Sequence, residues 1–390
     1  MKLLIYSHFF APSVGGVETI VLTLARGLAQ LRNSNGAPQF EITLATQTPA
    51  ENWNDRELPF RVIRKPGFLQ LWRLIRSSDV IHVAGPALAP LFLSMLAGRP
   101  AIVEHHGFQT ICPNGQLLIE PAGEPCPGHF MAGHHAECLR CNAGQGRSAS
   151  YKLWMLTFVR RFLCARAAAN ITPTQWLGGL VHLPRVTAIP HGLEFAPAVT
   201  RQAPLNGVPV IVFLGRLVTT KGVRVLLQAA KILRGENRSF AVLIIGDGPE
   251  RSALEEFARD SKLETQVHFA GRLGGEQLEA ALAGAYALVV PSLGGEVFGL
   301  VLAENMARAL PVVASDLGAF TEVLGNAGHV FRTGDAVDLA SVLSRLLDDS
   351  VFAATLGRQA RQRFLDFFDK SRMIEAHNRV YQVLCAIAKD

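Results

Sequence analysis

Glu296-Val297-Phe298-Gly299-Leu300-Val301-Leu302-Ala303-Glu304 sets two carboxylates around a Phe-Gly pair, just behind the apolar run Ala287–Pro291. The run reads as a buried strand, Gly294-Gly295 as a loop, and Gly299 as the opening of a helix. In that reading the amides of Phe298, Gly299 and Leu300 head the helix and make an anion site. Glu296 then lies in the loop before the helix, and Glu304 about one turn inside it. A carboxylate accepts two hydrogen bonds from a vicinal diol. The stretch therefore suits a ligand carrying sugar, phosphate and ribose in sequence. The same spacing also reads as a capping acid and an exposed helix acid.

Strands and helices alternate on both sides of this stretch, which predicts parallel sheets covered on both faces, an α/β fold. Val208–Leu214, Ala241–Ile245, Val267–Ala270 and Pro311–Ala314 read as strands, and Val223–Arg234 and Glu250–Arg259 as helices. Arg216 and Lys221 stand just past the first of these strands, the edge where open α/β sheets bind ligands. They could neutralise a diphosphate without a metal, or be solvated surface cations. Gly246-Asp247-Gly248-Pro249 also follows a strand, but Arg251 replaces the third glycine of a dinucleotide fingerprint, which excludes a nicotinamide site there.

The first half repeats the alternation. Leu3–Tyr6, Ile42–Thr46, Val80–Ala84, Ala101–Glu104 and Val186–Ile189 read as strands and Val17–Leu31 as a helix. Gly15-Gly16 at that helix start lets backbone approach a phosphate, or makes a plain strand-to-helix turn. Ala196–Asn206 has no periodicity and reads as a linker. These boundaries predict a Rossmann-like domain from 1 to about 196 and a second from about 205 to 370. Residues 371–390 form a last helix.

Glu-x7-Glu around Phe-Gly, Gly215-Arg216-Leu217 with Lys221-Gly222, Gly246-Asp247-Gly248-Pro249, and Asp316, Gly318 and Glu322 together resemble glycosyltransferase family 4. The resemblance spans nearly the whole chain and is most specific over residues 208–335. It implies the GT-B fold, two Rossmann-like domains facing across a cleft, with the last helix crossing back to the first domain. It implies a retaining transferase that uses a UDP- or GDP-sugar, in cell-surface polysaccharide or glycolipid synthesis. Glu296 would hold the donor sugar, Glu304 the ribose, and Arg216 and Lys221 the diphosphate, with Gly15-Gly16 near the phosphates. Gly248 falls among the donor-binding residues, and the base would lie on backbone near Gly271-Arg272-Leu273. The family often has His-Asp and then Cys-Pro. Here Glu104-His105-His106-Gly107 precedes Cys112-Pro113, which aligns His106 with the active-site histidine and leaves His105 as its competitor. Gly107 replaces the usual Asp. A non-hydrolysing nucleotide-sugar epimerase and a non-catalytic sugar-binding homologue are the rival readings.

Residues 112–149 are an insertion rich in Gly, Pro, His and Cys without helical or strand periodicity. So long a loop is uncommon unless it is functional or cross-linked. Cys112, Cys126, Cys138 and Cys141 could hold a structural zinc there, with His129, His134 and His135 in reserve, or be reduced cysteines in a lid. No cofactor is expected for catalysis.

Tyr151–Ala169 mixes Trp154, Met155, Phe158 and Phe162 with Lys152, Arg160, Arg161 and Arg166. It reads as a buried helix with a cationic edge, or as an amphipathic helix lying on a membrane. Residues 1–195 carry 17 Lys+Arg against 11 Asp+Glu, and the rest of the chain balances at 21 each. The basic half suggests an anionic partner, either a phosphorylated acceptor or an anionic membrane face. No basic run with interleaved aromatics points to nucleic acid. No signal-peptide core is present, so a cytoplasmic protein is expected, with peripheral contact at the inner membrane face as an option.

Overall fold

The computed structural model describes residues 1–120, 122–194 and 207–387. The linker expected at 196–206 lies outside the described residues. The chain forms two compact units. The first comprises Met1–Leu117, Pro127–Glu194 and Phe367–Asp390, the second Leu118–Cys126 and Phe195–Asp366.

In the first unit β1 (Lys2–Ser7), α1 (Gly16–Gln30), β2 (Glu41–Thr46), β3 (Arg61–Arg64), α2 (Phe68–Ser77), β4 (Val80–Ala84), α3 (Leu88–Leu96) and β5 (Ala101–Glu104) alternate as the apolar runs require. The insertion follows, with β6 (Leu118–Ile119) and β7 (Glu124–Pro125) as an antiparallel hairpin, then α4 (His135–Cys141). α5 (Arg147–Arg166), β8 (Ala169–Thr172), α6 (Gln175–Val181) and β9 (Val186–Ala188) complete the unit's sheet layer. The sheet order is β3-β2-β1-β4-β5-β8-β9, and every pairing is parallel. Leu4, Ile81, Val83 and Val103 are fully buried between the helical layers. The chain's last helix, Lys370–Ile387, packs on α1, with Ile374 against Gly27 and Tyr381 buried at 0 % exposure.

The second unit contains β10 (Val210–Leu214), α7 (Val223–Gly235), β11 (Ala241–Ile245), α8 (Arg251–Asp260), β12 (Val267–Gly271) and α9 (Gly275–Ala283). β13 (Ala287–Val290), α10 (Leu300–Ala307), β14 (Val312–Ser315), α11 (Gly318–Leu324), β15 (His329–Phe331), α12 (Ala336–Asp348) and α13 (Ser350–Phe367) follow; the chain's last helix is α14. Its parallel sheet runs β12-β11-β10-β13-β14-β15. Counted within each unit, both sheets begin in the order third, second, first, fourth. Strand order therefore reverses beside the first strand, which opens a crevice at the carboxyl ends.

Two expectations need correction. The insertion is not devoid of structure. α4 packs on α5, and Phe130, His135, Trp154 and Phe158 interlock, with His135 at 5.6 Å from Trp154 and Phe130 at 4.8 Å from Phe158. Ser150 Oγ also donates to the Leu139 carbonyl at 2.8 Å. These aromatic contacts give the segment a small core of its own. Nor is α5 a buried helix with a cationic edge. Its stripe of Tyr151, Met155, Phe158, Val159 and Phe162 is 39–56 % exposed. Only Ser150, Thr157, Leu163 and Cys164 are buried.

Candidate functional site

In the second unit the loops after β10 and β13 flank the strand-order reversal. Lys221 Nζ donates to Glu296 Oε1 at 2.5 Å, and Ser292 Oγ donates to the same oxygen at 3.0 Å. The residues expected at the sugar and at the diphosphate of the donor are thus an ion pair here. Arg216 is exposed. Gly248 is set by packing. A Cβ there would stand 2.3 Å from the Leu217 carbonyl oxygen, because the loops after β10 and β11 are laced by Leu217 N–H to Asp247 O and Glu250 N–H to Leu217 O. Arg272 and Leu273 lie directly past β12.

Gly299 caps α10 at φ +88°, a conformation that favours glycine, and a Cβ would meet the Phe320 ring at 2.6 Å. Its carbonyl accepts from Leu302 N–H at 2.9 Å, so the amides of Leu300 and Val301 head the helix beside Phe298. Glu304 lies inside α10. Its carboxyl is raised above the usual range because burial strips its water, an effect that neighbouring Arg308 only partly offsets. Arg308 spends its guanidinium on Glu279, at 2.6 Å and 3.2 Å, and on the Glu304 carbonyl.

In the first unit a cavity of about 300 Å³ occupies the corresponding reversal. Ser7, His8 and Phe9 after β1, Gly85 and Pro86 after β4, and His106 and Gln109 after β5 line it, with Val17 of the first turn of α1. Gly15 and Gly16 open that helix, so its positive end lies at the cavity. Arg160 of α5 also lines the wall, half-buried, and no acidic residue does. His105 does not reach the cavity. It is fully buried, with Nε2 at 3.0 Å from Asn170 Oδ1, and burial pushes its pKa down to about 4.

The unforeseen feature is Glu104, fully buried and ringed by imidazoles. His82 Nε2 donates to its Oε2 at 3.0 Å, and the Tyr381 hydroxyl donates to His82 Nδ1 at 2.8 Å. His106 and His191 stand 3.6 Å from the carboxylate and His377 3.7 Å. Burial alone would raise the Glu104 carboxyl; interaction with His106, His377 and His82 outweighs it and holds the carboxyl well below its usual range. Burial pushes the His191 ring down to about 3. A glutamate closing the apolar strand Ala101-Ile102-Val103 and a histidine centred in Val80–Ala84 were the available signals.

The cysteines are less gathered. Cys112 Sγ donates to Asn114 Oδ1 at 2.9 Å, and Asn114 Nδ2 donates to Cys141 Sγ at 3.4 Å. Cys126 belongs to the second unit. Among the described residues, the ligand-bearing groups that meet within 4.8 Å are His82–Glu104–His377 and Glu104–His106–His191; the cysteines form no such group.

Two sheets with ligand crevices at their strand-order reversals define a pair of Rossmann-like domains, the GT-B fold class. Residues 208–349 match the family described as "Glycosyl transferases group 1". The chain is 31 % identical over 232 residues to a glycogen synthase of Mycobacterium tuberculosis, covering 58 % of this chain and 55 % of that one. It is 36 % identical over 204 residues to a phosphatidyl-myo-inositol mannosyltransferase of Mycolicibacterium smegmatis, covering 50 % and 51 %. The matches thus span about half the length of these curated relatives. Among solved structures, Anabaena Alr3699/HepE in complex with UDP and glucose is similar at a TM-score of 0.71 and 17 % identity, covering 98 % of this chain and all of that one. A sucrose-phosphate synthase of Thermosynechococcus elongatus is similar at 0.74 and 20 %, covering 99 % of each. These relatives do not favour the epimerase reading or the non-catalytic one.

Glu304 yields a test of the second unit. Its folded pKa lies above the unfolded value, so ionisation in the fold costs stability as pH rises past about 4.5, and nothing below it. Glu304→Gln should raise the unfolding midpoint at pH 7, and the gain should vanish near pH 4. Thermal unfolding of both proteins across that range checks it; an unchanged or lower midpoint at neutral pH counts against an enclosed, ionised carboxylate.

Proposed function

We propose that the protein is a retaining glycosyltransferase of the family 4 kind, moving a hexose-type sugar from a UDP- or GDP-sugar to an anionic, lipid-linked or phosphorylated acceptor. The observation that carries this is the pairing of Lys221 with Glu296 at one strand-order reversal, with the Glu304 carboxylate enclosed one helix turn away. A nucleotide sugar offers each group its complement. A diphosphate suits Lys221 and Arg216, sugar hydroxyls suit Glu296, and a ribose diol suits Glu304. Charge grows on the leaving diphosphate as the sugar carbon turns cationic, so preorganised cations act most strongly in the transition state. The Anabaena protein solved with UDP and glucose supports a uridine donor.

The acceptor reading rests on the first unit. Arg160 and the positive end of α1 give the cavity a cationic wall, with His106 beside them. In the same unit, α5 exposes its aromatic stripe, α3 exposes Phe92, Met95 and Leu96, and α2 exposes Phe68 and Leu69. α2 packs on α3 and α3 on α5, so these residues belong to adjoining helices. Among the described residues no helix is long and apolar enough to cross a membrane. An exposed apolar face flanked by Lys152, Arg166, Arg73 and Arg99 suits the surface of an anionic membrane.

Three outcomes are expected. Lys221→Ala and Glu304→Ala should each weaken donor binding or turnover by about 2–4 kcal/mol, the scale of one preorganised charged contact. Calorimetry with UDP and GDP, and kinetics with their sugars, read this; normal values in both variants remove the donor-site assignment. His106→Ala should lower turnover by about two orders of magnitude, a positioning contact's scale, while UDP alone still binds. Product retaining full yield in that variant would place the chemistry elsewhere. Phosphatidylglycerol vesicles should sediment the protein and phosphatidylcholine vesicles should not, with salt weakening the effect. Phe158→Ser with Phe162→Ser should abolish it; unchanged sedimentation excludes this face.

A further inference from the structure

Glu104 is a fully buried carboxylate whose close neighbours are imidazoles. Removing such an anion from water costs several kcal/mol unless a cation sits beside it. Among the described residues no lysine or arginine forms an ion pair with it. The histidines come from four parts of the chain: His82 from β4, His106 after β5, His191 after β9 and His377 from α14.

Only His82 sits at hydrogen-bond distance. Its Nδ1 accepts the Tyr381 proton, so its Nε2 carries hydrogen and donates to Oε2. The others stand at 3.6, 3.6 and 3.7 Å, too long for a hydrogen bond. Glu104 Oε1, His106 Nε2 and His377 Nε2 are buried without a hydrogen-bond partner. His377 shows why. Its Nδ1 lies 2.9 Å from the Met373 carbonyl and must donate there, so in the neutral ring Nε2 aims a lone pair at Oε1. Acceptor then faces acceptor on the His377 side of the carboxylate, and Oε1 is left without a hydrogen.

We propose that Glu104, His106 and His191 hold a divalent first-row transition-metal ion, with His82 orienting the carboxylate from outside. The three donor atoms lie within 4.8 Å of one another. Two ligands on a tetrahedral ion with bonds of about 2.0–2.1 Å stand about 3.3 Å apart; His106 Nε2 lies 3.6 Å from Oε2 and His191 Nδ1 3.6 Å from Oε1, so an ion held by both rings would face both carboxylate oxygens. Two imidazoles and one carboxylate select zinc or iron over magnesium or calcium. Tyr381 and His82 form the chain of outer hydrogen bonds that such ligands characteristically carry. The ion would tie two loops at the cavity of the first unit to a strand end, and would fix the His106 ring in the cavity wall. The proposal does not rest on the transfer reaction, and its test reads metal rather than activity.

Full-length protein prepared without chelator is analysed for metals, stripped, and titrated with Co(II) alone while visible absorption is followed. About one equivalent should bind, with d–d bands and no thiolate-to-cobalt charge-transfer band. The Cys138→Ser/Cys141→Ser protein should behave the same. Glu104→Gln should bind at least about 100-fold more weakly, and His82→Gln about 10–100-fold more weakly, as loss of an outer partner does. His191→Ala serves if Glu104→Gln fails to fold. A thiolate band, or metal lost with the cysteines, overturns the proposal by placing the ion on the insertion. Folded wild-type protein that binds no cobalt overturns it too, and leaves a proton on an imidazole as the cation.

Discussion

The constraint on which both candidate sites depend is the reversal of strand order beside the first strand of each sheet. A parallel strand must be followed by a crossover, and right-handed crossovers send successive helices to one face. When the chain returns to the other side of the first strand, the helices move to the opposite face and the loops after the two central strands part. In the second unit those loops carry Lys221 and Glu296; in the first they supply Ser7–Phe9 and Gly85–Pro86. The crevice is thus a topological result, and the side chains lining it decide its chemistry.

That origin explains what was legible in the sequence. Arg216, Lys221 and Glu296 lie in loops that follow strands and Glu304 in the helix after such a loop, and apolar runs locate strand ends to within a residue or two. Val208–Leu214 against the observed Val210–Leu214 is typical. Helix starts are similarly local, as Gly15-Gly16 and Gly299 show. The Glu104 cluster was not legible, because its members are spread from residue 82 to residue 381 and each looks ordinary beside its chain neighbours. The sheet register, which sets His82 beside Ile102 and Ala84 beside Glu104, and the packing of α14 on β4 bring them together. Gly248 carries a packing constraint that its neighbours in sequence do not reveal. It sits in a recognisable motif, yet its lack of a side chain is required by the Leu217 carbonyl.

The insertion and α5 were misread for one reason. Composition counts apolar residues but not which of them meet. His135, Trp154 and Phe130 supply a core to a segment whose sequence shows no period, because aromatic rings pack edge to face without needing one. On α5 the apolar residues recur at helical spacing, which predicts burial only if a partner covers the stripe. Here Leu163 and Cys164 face the sheet while Tyr151, Met155 and Phe162 face outward.

The Lys221–Glu296 pair shows how one arrangement can serve the resting and the loaded site. The lysine is 30 % exposed and the glutamate 11 %, so water screens much of their attraction. A pair at that depth contributes about 1 kcal/mol or less. It still keeps each group from wandering, since the Ser292 hydroxyl holds the same carboxylate oxygen from the strand side. A diphosphate brings two negative charges to the lysine, and a sugar hydroxyl brings a donor to the glutamate. Each new contact is at least as strong as the one it replaces. In the proposed donor site, separating the pair would therefore cost little against the contacts that a nucleotide sugar supplies. Among the described residues Glu304 forms no ion pair of that kind, and burial raises its pKa. If it holds a ribose diol as proposed, two hydroxyl donors would replace the hydrogen bonds that burial takes from it.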